Sequence, residues 1–176
     1  MVVDLPTLFK EIDALESRGV SCSRLKVSSL AHLIFPWHQA HDAISEKNLG
    51  DNKIGTTLKG IGPAYADKIN RIGIRVQDLF DTSILRQKLE GALRDKNQVL
   101  IKVFNRKGIE IDEVLNEYLG YAEILKPYVC DTSLLLEEAL KANNFHLEDE
   151  RPPKEPELLY CNCPYDPLGV TVAGSP

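Results

Sequence analysis

Apolar residues recur at helical spacing through most of the chain, and this pattern predicts a mostly α-helical fold. The first stripe runs from Leu5 to Leu15 and stops at Gly19, with Asp4 as the expected N-cap. A long helix is predicted after a cap at Asp81 or Thr82. Its buried stripe is predicted to consist of Leu85, Leu89, Ala92, Leu93, Val99, Leu100 and Val103. Further helices are predicted at about residues 37–47, 63–73, 111–126 and 134–142.

One or two short β-strands are expected beside these helices. Residues 25–28 and 32–35 read as extended, and Pro36 favours extended geometry in the residue before it. Residues 158–160 and 170–172 are weaker strand candidates. The predicted fold class is therefore mostly α with one or two short β-strands.

The character of the chain changes after Asn144. Residues 146–176 hold six of the ten prolines and are rich in acidic residues. Because proline removes backbone donors and breaks periodicity, we predict little regular structure there. The expected organisation is one domain over residues 1–145, followed by an acidic, proline-rich and poorly ordered tail over residues 146–176.

Charge and hydropathy exclude several classes of partner. The net charge is −5 and the estimated pI is 5.4, so the average surface does not attract nucleic acid or an anionic membrane. No apolar run approaches the roughly 20 residues of a membrane span. We therefore expect a cytoplasmic protein that binds neither nucleic acid nor membrane.

The cysteines and histidines do not form a metal-binding pattern. The four cysteines are scattered and are interpreted as reduced thiols, although the pair Cys161 and Cys163 has a spacing that can hold a soft metal. His32, His38 and His41 are interpreted as packing or surface residues. No metal site is predicted.

A glycine-rich stretch within residues 51–75 carries the candidate chemistry. Gly55, Gly60 and Gly62 allow sharp turns and close approach to a ligand, and their amides are expected to point toward it. Thr56 and Thr57 add hydroxyl donors between the glycines. This combination is typical of a loop that binds a phosphate monoester.

Basic residues follow this loop. Lys68, Arg71 and Arg75 lie at i, i+3 and i+7 on the predicted helix, so we expect their side chains to share one face as a basic stripe. Residues 51–75 carry five basic and two acidic residues in a chain that is negative overall. The spacing favours a local anion site, and the alternative is a flexible surface loop followed by a solvated helix.

The same stretch resembles a known family. Residues 54–68 read IGTTLKGIGPAYADK and residues 71–75 read RIGIR, and both are similar to the signature around the inosine monophosphate (IMP) loop of adenylosuccinate synthetases. Four flanking segments agree with the family in order and spacing. They are VVDLP at 2–6, EIDALESRG at 11–19, DLFD at 78–81 and DTSLLL at 131–136. The resemblance extends over about residues 2–144.

The resemblance implies a fold and an activity. The family is α/β and P-loop-NTPase-like, with a mostly parallel sheet, and this chain would be its helix-rich part. Family members join IMP to L-aspartate at the expense of GTP, with Mg²⁺, in a ligase reaction of purine biosynthesis. Such chemistry depends mainly on positioning and on neutralising the charge of the transferred phosphoryl group.

The resemblance also implies roles for individual residues. Thr57, with Thr56 beside it, resembles the threonine that holds the IMP phosphate. Arg71 resembles the arginine that reaches this phosphate in the neighbouring subunit, which implies a homodimer. Lys68 resembles a lysine near the reaction centre and is a possible accessory residue.

Two loop positions depart from the family pattern. Lys59 stands where many members have arginine, which keeps the charge but loses the bidentate fork, so Lys59 is a weaker ligand candidate. Leu58 replaces an expected glycine or lysine. Both departures lie beside the threonines.

The family's catalytic residues have no counterparts here. Its N-terminal phosphate loop, catalytic aspartate and histidine, and its guanine- and aspartate-binding loops are not matched. We therefore expect a partial chain that binds IMP phosphate but does not catalyse the reaction alone, and that binds neither GTP nor Mg²⁺ tightly. The alternative is a non-catalytic helical interaction module with the tail as a tether. RNA binding is disfavoured because Tyr65 is almost alone as an aromatic near the basic residues.

Overall fold

The computed structural model describes residues 1–52 and 55–142. Ten regular elements follow one another along this part of the chain. They are β1 (Val2–Val3), α1 (Leu5–Glu16), β2 (Val27–Ser28), β3 (His32–Leu33), α2 (Pro36–Asn48), α3 (Ile61–Ile69), α4 (Thr82–Gln98), α5 (Ile111–Leu125), β4 (Val129–Cys130) and α6 (Thr132–Lys141). The helix-rich prediction is confirmed. The tail, the Cys161 and Cys163 pair and the weaker strand candidates lie outside the described residues.

Helix starts follow local capping chemistry. The carboxylate of Asp81 accepts the amides of Ser83 and Ile84 at the start of α4. Asp131 does the same at the start of α6. Asp4 also precedes its helix, but its carboxylate accepts the Thr7 hydroxyl at 2.7 Å instead of a backbone amide. The predicted position of Asp4 is therefore correct and the predicted amide cap is not formed.

Four strands of two residues each form two parallel pairs, where one or two strands were expected. Val2 pairs with His32 and Val3 with Leu33, which joins β1 to β3. Val27 pairs with Val129, which joins β2 to β4. The sequence did not predict β1 or β4 because a two-residue strand is too short to show a hydrophobic period, and because its partner is distant in the chain.

The core joins α1, α4 and α5 to the strands. Leu5, Leu8, Leu85, Leu89 and Leu125 are fully buried, and they all lie in helices that the apolar pattern predicted. At one side of this core, three aromatic rings stack in series. They are Trp37, Phe35 and Tyr118, with ring centroids 4.4 and 4.3 Å apart.

The long helix ends earlier than its apolar stripe predicted. After Gln98 the chain enters a π-helical turn at Val99–Val103, where the Phe104 amide donates to the Val99 carbonyl at 3.1 Å. The wider turn departs from the 3.6-residue period on which the apolar stripe was based. Val103 is consequently 69% exposed, so its predicted burial is wrong, whereas Leu100 is buried.

The helix predicted at 63–73 is Ile61–Ile69, and its early end has a clear cause. The Ile72 amide donates to the Asp67 carbonyl at 3.0 Å and the Arg71 amide donates to the Lys68 carbonyl at 3.1 Å. These two bonds form a Schellman motif, in which the residue after the C-cap is left-handed. That residue is Arg71, with φ of 62°.

The segment after Arg71 becomes an extended neighbour of β3. The Leu33 amide donates to the Ile74 carbonyl and the Val76 amide donates to the Ala31 carbonyl, each at 2.9 Å. The predicted helical stripe of Lys68, Arg71 and Arg75 is therefore wrong, because only Lys68 lies on the helix.

Two smaller predictions concern the thiols and the membrane. Cys22 is buried and Cys130 is half-buried, and both are free thiols. Among the residues that the structure describes, none of the helices combines the length and the apolarity that crossing a bilayer requires.

Candidate functional site

The candidate loop lies between two left-handed glycines. Gly55 has φ of 79° and Gly60 has φ of 77°, a region that side chains with a Cβ avoid. Thr56 and Thr57 are exposed between them. The structure therefore presents both predicted hydroxyls at the surface of one tight loop.

Gly60 is also required by packing. A Cβ at this position would lie 2.7 Å from the Gln39 nitrogen and 2.8 Å from the His38 carbonyl carbon. Both atoms belong to the backbone of α2, which does not yield without moving the helix. The predicted loop glycine thus packs directly against the backbone of α2.

One face of α2 holds both ends of the loop. His38, Asp42 and Glu46 lie at successive turns of this helix and are all buried. The Gly60 amide donates to Asp42 Oδ2 at 2.9 Å, and the Gly55 amide donates to Glu46 Oε1 at 2.6 Å. These two amides therefore bind carboxylates, and the prediction that they point toward a phosphate is not met. Thr56 and Thr57 keep their predicted exposure.

His38, on the same face of α2, contacts helix α3. His38 Nδ1 accepts the Phe35 amide at 2.9 Å, so the proton of the neutral ring is on Nε2. His38 Nε2 then donates to Asp67 Oδ2, also at 2.9 Å. Burial lowers the pKa of His38, although Asp67 acts in the opposite direction, and the neutral form is favoured.

Asp67 is a buried carboxylate with two donors. Lys96 Nζ donates to its Oδ1 at 2.5 Å, opposite the contact with His38. Burial by itself would raise the pKa of Asp67, but the hydrogen bonds from His38 and Lys96 outweigh it and the pKa is lowered. The carboxylate thus remains ionised and links α2, α3 and α4.

The predicted basic residues are exposed but do not share one helix face. Lys68 Nζ lies 5.6 Å from the centre of the Tyr65 ring. Lys68 and Arg75 both approach His32, whose pKa is lowered first by burial and then by Arg75 and Lys68. Asp78 acts on this pKa in the opposite direction, so cations and a carboxylate both lie near His32.

Thr57 and Arg71 lie beyond opposite ends of α3. This helix has nine residues and is roughly 13 Å long. Thr57 precedes its first turn and Arg71 follows its last. Lys59 and Gly62 lie at the Thr57 end, where Lys59 is exposed and Gly62 is in the first turn.

Sequence reasoning missed the residues that support this loop. His38, Asp42, Glu46, Asp67 and Lys96 were not singled out as parts of it. The signal available in the sequence was that His38, Asp42 and Glu46 are spaced at i, i+4 and i+8, which places three polar residues on one face of α2. This spacing on one helix face indicates polar groups with tertiary partners, but it does not name the partners.

Metal-ligating side chains do not cluster in the part of the chain that the structure describes. Within residues 1–52 and 55–142, no three histidine, cysteine, aspartate or glutamate side chains group in a way that holds a metal ion. His38 and Asp67 bind protein groups. The residues described do not fit a Mg²⁺ site.

The fold and the loop define a class of protein. The chain is a helix-rich α/β segment in which two exposed threonines lie between two left-handed glycines at the start of α3.

Comparison with known proteins identifies the family within this class. A family model described as adenylosuccinate synthetase matches residues 1–148. Adenylosuccinate synthetase of Thermobifida fusca is 60% identical over 140 residues, covering 80% of this chain and 33% of that protein. The same enzyme of Leifsonia xyli subsp. xyli is 56% identical over 147 residues, covering 84% and 34%. The chain belongs to the adenylosuccinate synthetase family.

A solved structure agrees in fold. The fully ligated adenylosuccinate synthetase from Plasmodium falciparum superposes with a TM-score of 0.68 at 30% identity, covering 81% of this chain and 33% of that one. The chain spans about a third of the length of the relatives that it matches.

Proposed function

We propose that this chain supplies the IMP-phosphate loop of an adenylosuccinate synthetase. The observation that carries the proposal is the loop itself, in which exposed Thr56 and Thr57 lie between left-handed Gly55 and Gly60. Hydroxyls held in one orientation donate to phosphate oxygens at a small entropic cost. Thr57 is the principal donor and Thr56 assists it.

Arg71 is proposed to act on the phosphate bound by a second copy of the chain. Because α3 separates Arg71 from Thr57, the two side chains do not lie side by side within one protomer. Ile69, on the last turn of α3, is 76% exposed, and Ile72 is 42% exposed. Apolar surface on both sides of an exposed arginine suits a homodimer interface.

The parent reaction is the GTP-dependent ligation of IMP and L-aspartate in purine biosynthesis, with the cytoplasm as its location. Lys68 is proposed as an accessory residue near the reaction centre and Lys59 as a weaker ligand of IMP. The complete enzyme is proposed to be P-loop-NTPase-like, and residues 1–145 to be one domain within it. The Mg²⁺ of this reaction has no ligand set among the described residues. For the 176-residue chain we propose binding without turnover.

Calorimetry with the purified chain tests the proposal. IMP is titrated into the wild-type chain and into Thr57→Val, which keeps the shape of the side chain and removes the hydroxyl. Inosine, which lacks the phosphate, is the matched ligand control. We expect IMP to bind, inosine to bind at least about tenfold more weakly, and Thr57→Val to lose about tenfold in affinity, equivalent to one charge-assisted hydrogen bond. Equal binding of IMP and inosine would refute the phosphate site.

A further inference from the structure

Two carboxylates on one face of α2 bind the two ends of the phosphate loop. Asp42 accepts the Gly60 amide and Glu46 accepts the Gly55 amide, and both acids are only 8% exposed. We propose that Asp42 and Glu46 are positioning residues, which orient the hydroxyls between the two glycines for an incoming phosphate. This inference rests on the proposed function.

Placing two carboxylates beside a phosphate site has an energetic cost. A carboxylate close to a phosphate disfavours it through like-charge repulsion, and free loop amides would serve as phosphate donors themselves. Glu46 and Asp42 nevertheless occupy the amides of Gly55 and Gly60. The benefit that offsets these costs is conformational, because a loop anchored at both ends loses little freedom when the ligand binds.

The two glycines whose amides are bound differ in burial, and this difference separates a positioning role from a role in stability alone. Gly60 is buried, so the loss of Asp42 leaves a buried amide without its acceptor and weakens folding as well. Gly55 is exposed, so water replaces Glu46 as the acceptor of its amide. Glu46 is therefore the cleaner test of positioning.

The test compares variants of the full chain by IMP calorimetry and thermal unfolding. Glu46→Ala is expected to bind IMP about tenfold more weakly with an almost unchanged melting temperature. Glu46→Gln keeps an acceptor oxygen and is expected to stay within about threefold of wild type. Asp95→Ala, which removes an exposed carboxylate of α4, is the matched control and should match wild type. Wild-type or tighter IMP binding by Glu46→Ala would overturn the proposal.

Hydrogen exchange decides the proposal without a ligand. In the free chain, the amides of Gly55, Thr56 and Thr57 are expected to exchange about tenfold faster in Glu46→Ala than in wild type. Glu46→Gln should exchange at nearly the wild-type rate. Unchanged exchange in Glu46→Ala would overturn positioning even if IMP binds. If wild type does not bind IMP, the proposed function fails, and the exchange rates still show whether Glu46 orders the loop.

Discussion

His38 Nε2 lies 2.9 Å from Asp67 Oδ2, and this hydrogen bond joins helix α2 to helix α3 behind the candidate loop. The two residues are 29 positions apart in the chain. Since Asp42 and Glu46 extend from the same face of α2, one helix holds both the loop and the helix that follows it. The stability of this face therefore controls the geometry of the site.

Acid is expected to destabilise the fold. Burial lowers the pKa of His38, His32 and His41 below the usual 6.5. The unfolded chain therefore binds protons that the folded chain does not, so stability is complete above pH 6.5 and falls as the pH drops below it. Asp67, with its lowered pKa, continues this loss below its usual 3.8.

Urea unfolding between pH 7.5 and 4.5 measures this dependence. Each histidine contributes at most about 1.4 kcal/mol per pH unit. His38→Asn keeps an acceptor for the Phe35 amide and should give a shallower decline than wild type. A constant unfolding free energy between pH 7 and 5 would contradict the expected role of these histidines.

Gly60→Ala is expected to destabilise the chain by at least about 2 kcal/mol, because the new Cβ meets the α2 backbone and because the position is left-handed. Gly91→Ala is the matched control. Gly91 lies in α4 with nothing near the site of its Cβ, so alanine should stabilise by about 0.5–1 kcal/mol. Thermal unfolding of both variants provides the comparison, and equal effects would argue against the close contact.

Arg71→Gly is expected to raise stability and to weaken ligand binding. Arginine at the left-handed position of the Schellman motif costs roughly 1 kcal/mol relative to glycine. Arg71→Ala removes the same guanidinium without relieving the strain. If the chain forms the proposed dimer, both variants should bind IMP more weakly than wild type. Only Arg71→Gly should raise the melting temperature. Unchanged affinity in both would remove Arg71 from the proposed site.

Leu58→Gly addresses the departure from the family pattern. Leu58 has φ of 56° and is exposed, so glycine should stabilise the chain by about 1 kcal/mol through the backbone alone. Asn105→Gly is the control, since Asn105 has φ of 48° and asparagine tolerates this region better. Denaturant midpoints should rise more for Leu58→Gly than for Asn105→Gly, and the reverse order would contradict strain at Leu58.

The helices and the loop residues were predictable because their causes are local. A capping aspartate such as Asp81 or Asp131 acts on amides two and three residues away, and the stripe on α5 repeats within a few turns. Gly55, Thr56, Thr57 and Gly60 lie within six positions of one another, so the sequence alone was enough to predict an anion loop, which stays a prediction. The resemblance to the family added the expectation that this anion is the phosphate of IMP.

The tertiary structure decided which groups accept hydrogen bonds from the loop amides, where α3 ends and which strands pair. Glu46 and Asp42 contact glycines 9 and 18 residues away, and the partner of a buried carboxylate cannot be read from its own neighbourhood. Arg71 ends α3 in a conformation that its side chain disfavours, while the following residues bind β3. The backbone preference of Arg71 is overridden because the turn lets the amides of Leu33 and Val76 form hydrogen bonds. Satisfying these two buried amides outweighs the strain at one residue.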